Sequence, residues 1–226
     1  IIHTSRESNG FFGGMRAVAY AKNVFANIKR GVSYMLTSQS AVAVLMISAA
    51  FFRRPLPNSV FLLFYGMIVG GLAVLSIAFK CPGEDTLTSD LHGLSHFMSW
   101  RRMIIPCGIG AIWGIVTVVS VAVSGALASQ ATVFSGATAM FVSMLLSSIV
   151  CAFECGAFPG KNDTSFRYVV SLLSFVFVAL FAAILVRFFA PCAELIGGSL
   201  MSVSELIAAL VPPVVLFALS EIGRRL

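Results

Sequence analysis

The chain has 226 residues, of which 58% are hydrophobic and 11% are charged, and its formal net charge at pH 7 is +6. Soluble domains carry roughly 25% charged residues, so this composition excludes a water-soluble globular protein and indicates a chain embedded in lipid. The excess positive charge then indicates contact with anionic headgroups, so the lipid bilayer is the expected partner and nucleic acid is not.

The N-terminal part of the chain differs from the rest. Residues 14–30 mix apolar side chains with Arg16, Lys22, Asn23 and Asn27 at helical spacing. The pattern runs without a break into the first apolar stretch. It therefore predicts a stalk helix that projects from the membrane into the cytoplasm.

Six apolar stretches of about 20 residues follow, and each is long enough to cross about 30 Å of hydrocarbon as a helix. A helix also pairs every backbone N–H and C=O inside lipid, where water is absent. The sequence thus predicts an all-α membrane protein, a six-transmembrane-helix bundle with an N-terminal cytoplasmic stalk helix. The predicted spans are 33–52, 60–79, 103–127, 133–153, 167–190 and 200–220.

Lysine and arginine are divided unequally between the two sides of this predicted bundle. With the N-terminus in the cytoplasm, three lie outside (Arg53, Arg54 and Arg187) and twelve lie inside. Positively charged residues favour the cytoplasmic side, so the distribution predicts an integral, multi-pass protein with both termini in the cytoplasm. The inner set is Arg6, Arg16, Lys22, Lys29, Arg30, Lys80, Arg101, Arg102, Lys161, Arg167, Arg224 and Arg225.

Two kinds of short motif admit alternative interpretations. Gly66-x-x-x-Gly70 and Gly110-x-x-x-Gly114 permit close helix approach, and packing inside the bundle is favoured over dimerisation. His92 and His96 are four residues apart and would share one face of a helix, but no third ligand is nearby. A solvated interfacial face is the favoured interpretation, and no metal site is predicted.

The stretch from Tyr20 to Gln39, YAKNVFANIKRGVSYMLTSQ, resembles the stalk and fifth membrane helix of calcium-pump-type P-type ATPases. The turn Arg54-Pro55-Leu56-Pro57 is similar to the luminal turn of that family. Residues 62–72, LLFYGMIVGGL, resemble its sixth helix, and residues 205–225 resemble its tenth helix.

The resemblance implies that residues 14–226 are the stalk and the fifth to tenth membrane helices of a cation pump, and that residues 1–13 are the end of its phosphorylation domain. The D-K-T-G motif of the phosphorylated aspartate and the Mg²⁺ loop T-G-D-G-x-N-D are absent from the sequence. This chain would therefore have no catalytic or cofactor-binding residues and could not hydrolyse ATP alone. The missing N-terminal half, or an equivalent chain, would be its partner and would supply the ATP and Mg²⁺ sites.

By resemblance, the transport-site positions are Gln39, Val42, Gly66, Val69, Gly70 and Ser148. Calcium pumps hold the dehydrated ion with carboxylates at the bilayer midplane, but no acid occupies any of these positions. All nine acids lie in predicted connections or near helix ends: Glu7, Glu84, Asp85, Asp90, Glu154, Asp163, Glu194, Glu205 and Glu221. The transported cation or other cargo is therefore expected to differ from calcium, unless the pump is degenerate.

Uncharged side chains that carry oxygen remain inside the predicted spans, and their role has more than one interpretation. The residues are Thr37, Ser38, Gln39, Ser40, Ser143, Ser147 and Ser148. They could line a site completed by missing helices and by backbone carbonyls freed near Gly70-Gly71, or they could serve only for helix–helix hydrogen bonds. The alternative for the whole chain is a self-contained six-helix membrane scaffold or small permease without ATPase activity.

Overall fold

The structure is a computed structural model that describes residues 10–51, 58–80, 100–127, 135–157, 166–196 and 198–225. All regular elements in these ranges are helical, which confirms the predicted all-α membrane bundle. Two segments have π-helical hydrogen bonding: Phe64–Val69 inside α2, and Phe153–Ala157 directly after α4. The helices are α1 (Gly10–Phe51), α2 (Ser59–Ala78), α3 (Trp100–Leu127), α4 (Ser135–Ala152), α5 (Phe166–Phe188), α6 (Ala190–Leu195) and α7 (Val203–Arg225).

Each predicted span has a counterpart among these helices. Within the described ranges, five stretches are long and apolar enough to cross a membrane: Tyr20–Phe51, Ser59–Ala78, Met103–Ser124, Gly136–Cys155 and Phe166–Phe188. The sixth span corresponds to α7, whose apolar part, Val203–Leu219, is shorter than the others. That length is at the lower limit for crossing the hydrocarbon layer. The chain is therefore a multi-pass membrane bundle.

α1 is one unbroken helix of 42 residues. At 1.5 Å per residue it is about 63 Å long, which is roughly twice the thickness of the hydrocarbon layer. The prediction that the stalk pattern continues into the first span is confirmed. One rigid element therefore reaches from outside the apolar region to the far side of the bundle.

Two asparagines fasten the outer part of α1 to the end of α2. The side-chain amide of Asn23 donates to the carbonyl of Lys80 at 3.0 Å, and that of Asn27 donates to the same carbonyl at 2.9 Å and to Ala78 at 3.3 Å. The last carbonyls of a helix have no partner within it, so these bonds satisfy groups that α2 cannot pair itself. Both asparagines are buried. We call this pair the asparagine clamp.

α1 and α3 approach each other closely at two glycines of α3. A Cβ added to Gly114 would lie 2.6 Å from the carbonyl oxygen of Ala41, and one added to Gly110 would overlap the Thr37 carbonyl and the Ser40 hydroxyl. The Gly110-x-x-x-Gly114 motif therefore packs inside the bundle, as predicted. In the other motif, a Cβ on Gly70 would meet only the Tyr65 carbonyl of its own helix, at 3.4 Å.

α4 is the central helix of the bundle. Of its apolar stretch, 72% is buried inside the bundle, whereas 33–39% of the apolar stretch is buried in each of the other four long spans. Phe141 of α4 packs edge-on against Phe61 of α2 at a centroid distance of 5.3 Å, and Phe61 stacks on Tyr65 at 5.8 Å. Aromatic packing thus holds the π-helical segment of α2 against the bundle centre.

The end of the bundle opposite the stalk is joined by two polar contacts. The backbone N–H of Asn58, before α2, donates to the carbonyl of Ile196 at 3.1 Å. The hydroxyl of Thr138 at the start of α4 donates to the carbonyl of Ser199 at 2.8 Å. α2, α4 and α7 therefore all start at this end, in agreement with six alternating crossings.

Glu205 caps the start of α7. Its carboxylate accepts the backbone N–H of Ser202 at 2.8 Å, and its own N–H donates to the Ser202 hydroxyl at 3.4 Å. This reciprocal pair is a capping box, which satisfies two donors that a helix start leaves unpaired. Glu205 is the first residue of the stretch that resembles the tenth helix of the pump family, and its role in this structure is to cap α7.

Replacement of Glu205 tests this role. We expect Glu205→Ala to lower the free energy of unfolding by about 1 kcal/mol, and Glu205→Gln to lower it less, because glutamine can also complete a capping box. Thermal unfolding in detergent measures the difference. The matched control is Val203→Ala, on the exposed face of the same turn. Equal loss in the Gln and Ala variants would contradict the capping role.

Some sequence predictions lie outside the described residues. They include the turn Arg54-Pro55-Leu56-Pro57, His92 and His96, and residues 1–9 of the predicted phosphorylation-domain remnant. Residues 10–13 belong to α1.

Candidate transport site

Two of the six predicted site residues meet between α1 and α2. Gln39 is exposed on α1, and its amide nitrogen is 3.9 Å from the position that a Cβ on Gly66 would occupy. Gly66 lies within the π-helical segment of α2. The absence of a side chain at this glycine leaves the Gln39 amide beside the backbone of α2.

The π-helical segment widens α2 at this point. The N–H of Gly70 bonds the Tyr65 carbonyl, five residues earlier, as well as the Met67 carbonyl. Such segments interrupt the regular ladder of hydrogen bonds and occur frequently at functional sites. The sequence predicted freed carbonyls near Gly70-Gly71, and the irregular segment ends directly before Gly70.

The other predicted positions are buried in the bundle. Val42 is 7% exposed and Val69 is 1% exposed, and both belong to the apolar core. Gly70 is also buried. The hydroxyl of Ser148 is fully buried and donates to Leu145 of its own helix at 2.7 Å. Of the six positions, Gln39 and Gly66 therefore lie side by side on an accessible part of the bundle, and the other four are buried.

Most of the hydroxyls singled out in the sequence bond to their own helix. Thr37 donates to the Ser33 carbonyl at 2.9 Å, and Ser38 and Ser40 bond the Met35 and Thr37 carbonyls in the same way. The hydroxyls of Thr37, Ser38, Ser40 and Ser148 therefore donate within their own helices, and the interpretation that they also form helix–helix hydrogen bonds stays a prediction. In a helix, a Ser or Thr hydroxyl can donate a hydrogen bond to the backbone carbonyl three or four residues earlier, and this arrangement is common.

A buried polar cluster that sequence reasoning missed lies where α1, α2 and α4 meet. The polar neighbours of the Tyr34 hydroxyl include Ser148 and Cys151, and those of the Tyr65 hydroxyl include Tyr34 and Cys151. Thr37 is a further neighbour, since it lies beside the Cys151 thiol. We call these five residues the tyrosine cluster. Both tyrosines are almost fully buried.

The two tyrosine hydroxyls are unsatisfied within the described part of the chain, and so are the hydroxyls of Ser143 and Ser147 on α4. Buried polar atoms are nearly always paired, by protein or by ordered water. Ordered water is the usual partner of buried hydroxyls of this kind in proteins. The sequence signal was a tyrosine in each of two apolar spans, Tyr34 at the start of the first and Tyr65 inside the second.

The polar side chains of Gln39 and the tyrosine cluster are uncharged. The acids whose side chains are described, Glu154, Glu194 and Glu205, all lie near helix ends. No group of three His, Cys, Asp or Glu residues that could hold a metal ion occurs in the described ranges. Gln39 and the tyrosine cluster can donate and accept hydrogen bonds, but they offer no negative charge to a divalent cation.

Comparison of the sequence with protein-family models and with curated proteins gives no match.

Proposed function

We propose that the chain is the C-terminal membrane half of an ATP-driven P-type transporter and forms part of its cargo pathway. The observation that carries this proposal is the long helix α1, which runs unbroken from the asparagine clamp to Gln39. A pump of this kind must transmit movement from a phosphorylation domain to a site inside the membrane. A rigid helix fastened to its neighbour is suited to that task, because α1 and the end of α2 would move together.

The cargo pathway would pass between Gln39 and the π-helical segment of α2. Irregular helices that expose backbone groups to a cavity are a recurring way of building transport sites. The neutral groups here suit a cargo that needs no carboxylate cage, so we propose a cargo other than Ca²⁺. The missing half would complete the site from the exposed side of Gln39.

The remaining parts of such a pump would be supplied by another segment or chain. A phosphorylated aspartate, a nucleotide pocket and Mg²⁺ are required for phosphoryl transfer from ATP. The excess of lysine and arginine at the stalk side supports a cytoplasmic location of both termini, the side on which ATP is available.

Replacement of Gln39 tests the pathway. In the full-length protein reconstituted in liposomes, we expect Gln39→Ala to raise the cargo concentration for half-maximal ATPase stimulation about tenfold, because one hydrogen bond to the cargo is lost. The measurement is ATP hydrolysis over a panel of ions and lipids. A change confined to one substrate would identify the cargo.

The matched control is Ala43→Ser, one turn further along α1 and also exposed. This variant should behave as wild type. If Gln39→Ala left stimulation by every substrate unchanged, Gln39 would not belong to a cargo pathway. A reading frame without D-K-T-G and T-G-D-G-x-N-D motifs upstream of Ile1 would favour the self-contained scaffold or permease.

A further inference from the structure

A second candidate site lies at the stalk end of the bundle, and its inner lining includes Thr37 and Cys151 of the tyrosine cluster. It is a cavity of about 810 Å³ between α1, α3, the end of α4 and α7. Specific pockets for small molecules typically have 300–1,000 Å³. The cavity is therefore large enough for a specific ligand, and neither the proposed transport function nor its alternative accounts for it.

The cavity has a charged rim and an apolar wall. Lys29 and Arg30 line it from α1, and Glu154 lines it from the π-helical segment after α4. The apolar wall is formed by Ile105, Ile109 and Ile112 of α3 and by Leu216 and Leu219 of α7. This division into a polar and an apolar part is typical of a site for an amphiphile.

Arg30 is held at this rim by the asparagine clamp. One of its terminal nitrogens donates to the side-chain oxygen of Asn27 at 3.3 Å. A guanidinium has five N–H donors, so this bond leaves most of them available to a ligand. Lys29 is exposed beside it. Among the described residues that line the cavity, two cations against one carboxylate give a surplus of positive charge.

The depth of the rim matches that of lipid headgroups. Lys29 and Arg30 lie a few residues before the first predicted span begins at residue 33, which places them at the membrane interface. Basic pockets between membrane helices on the cytoplasmic side are suited to anionic headgroups. A soluble anion would match the charge but would leave the wall of isoleucine and leucine unoccupied.

We propose that this cavity binds one anionic phospholipid, with its phosphate held by Lys29 and Arg30. Its acyl chains lie against Ile105, Ile109 and Leu216. The lipid would fill the space between α1 and α7 and would connect the stalk to the last helix.

Lipid retention tests the proposal. The full-length protein is purified from vesicles of phosphatidylcholine with phosphatidylglycerol, and bound lipid is counted by native mass spectrometry. We expect wild type to retain one phosphatidylglycerol molecule. In the Lys29→Gln/Arg30→Gln variant, the affinity for this lipid should fall about tenfold or more, because each basic residue contributes to the binding of an anionic headgroup.

Three comparisons separate this site from general charge attraction. Arg167→Gln, which removes a cation from the exposed start of α5, should retain the lipid as wild type does. Ile109→Trp, which fills the apolar part of the cavity and keeps both cations, should lose it. Glycerophosphoglycerol without acyl chains should not compete at matched concentration.

Several results would overturn the proposal. These are equal retention by wild type and the double variant, equal loss in Arg167→Gln, retention of phosphatidylcholine as strong as that of phosphatidylglycerol, and competition by the chain-free headgroup. The last result would assign the rim to a soluble phosphate ester. Because the measurement is lipid binding and not ATP hydrolysis, its outcome is independent of the proposed pump.

Discussion

Gly110→Ala is expected to lower the free energy of unfolding of the bundle by about 3 kcal/mol or more, because the added methyl group meets the backbone of α1. The Thr37 carbonyl that it would overlap belongs to a continuous helix and cannot swing aside as a side chain can. α1 and α3 would have to separate, and their close packing is the main contact of the stalk helix with the bundle. Thermal unfolding in detergent, followed by circular dichroism, measures the loss.

Gly108→Ala is the matched control for this variant. It makes the same change two residues earlier on α3, where an added Cβ meets nothing within 4 Å. Alanine is the better helix former, so this variant should be as stable as wild type or more stable by up to about 1 kcal/mol. Equal stability of the two variants would contradict the close contact between α1 and α3.

Asn27→Leu is expected to lower the free energy of unfolding by about 2 kcal/mol, because three hydrogen bonds are lost, two to carbonyls at the end of α2 and one from Arg30. The effect should be concentrated at the end of α2. The amides of Phe79 and Lys80, which bond the carbonyls of Leu75 and Ile77, should exchange with deuterium about tenfold faster. Hydrogen exchange followed by mass spectrometry measures this local loosening.

Val24→Leu is the control for the clamp variant, because it places a leucine at a partly exposed position of the same stalk. It should leave exchange at the end of α2 unchanged. Unaltered exchange in Asn27→Leu, or equal acceleration in both variants, would mean that the clamp does not hold α2. In the proposed pump, the same loosening should reduce the coupling of ATP hydrolysis to transport.

The positions of the helices could be predicted from the sequence because lipid sets their length. Six apolar stretches near 20 residues predicted all the long helices, and the ends of α2 and α5 differ from prediction by one or two residues. The continuation of the stalk into α1 was also predictable, since the helical pattern does not break between residues 14 and 52. These features depend on local composition and on the thickness of the membrane.

The candidate site was less predictable because it depends on packing between distant segments. The π-helical segment of α2 has no local signature, and its extra residue is accommodated where Phe61 and Tyr65 pack against α4. The partner of Asn27 is more than 50 residues away in the sequence. Likewise, only three-dimensional contact distinguishes the tightly packed Gly110 from Gly66, although both begin a G-x-x-x-G motif.

Phosphorylation of the full-length protein by ATP tests the proposed pump most directly. The protein is incubated with ATP labelled in the γ-phosphate, quenched in acid and treated with hydroxylamine, which cleaves an aspartyl phosphate. We predict an acid-stable label that hydroxylamine releases and whose steady-state level changes when the cargo is added. Absence of such a label, in a protein that folds and inserts into the membrane, would contradict the P-type assignment and leave a self-contained six-helix membrane protein.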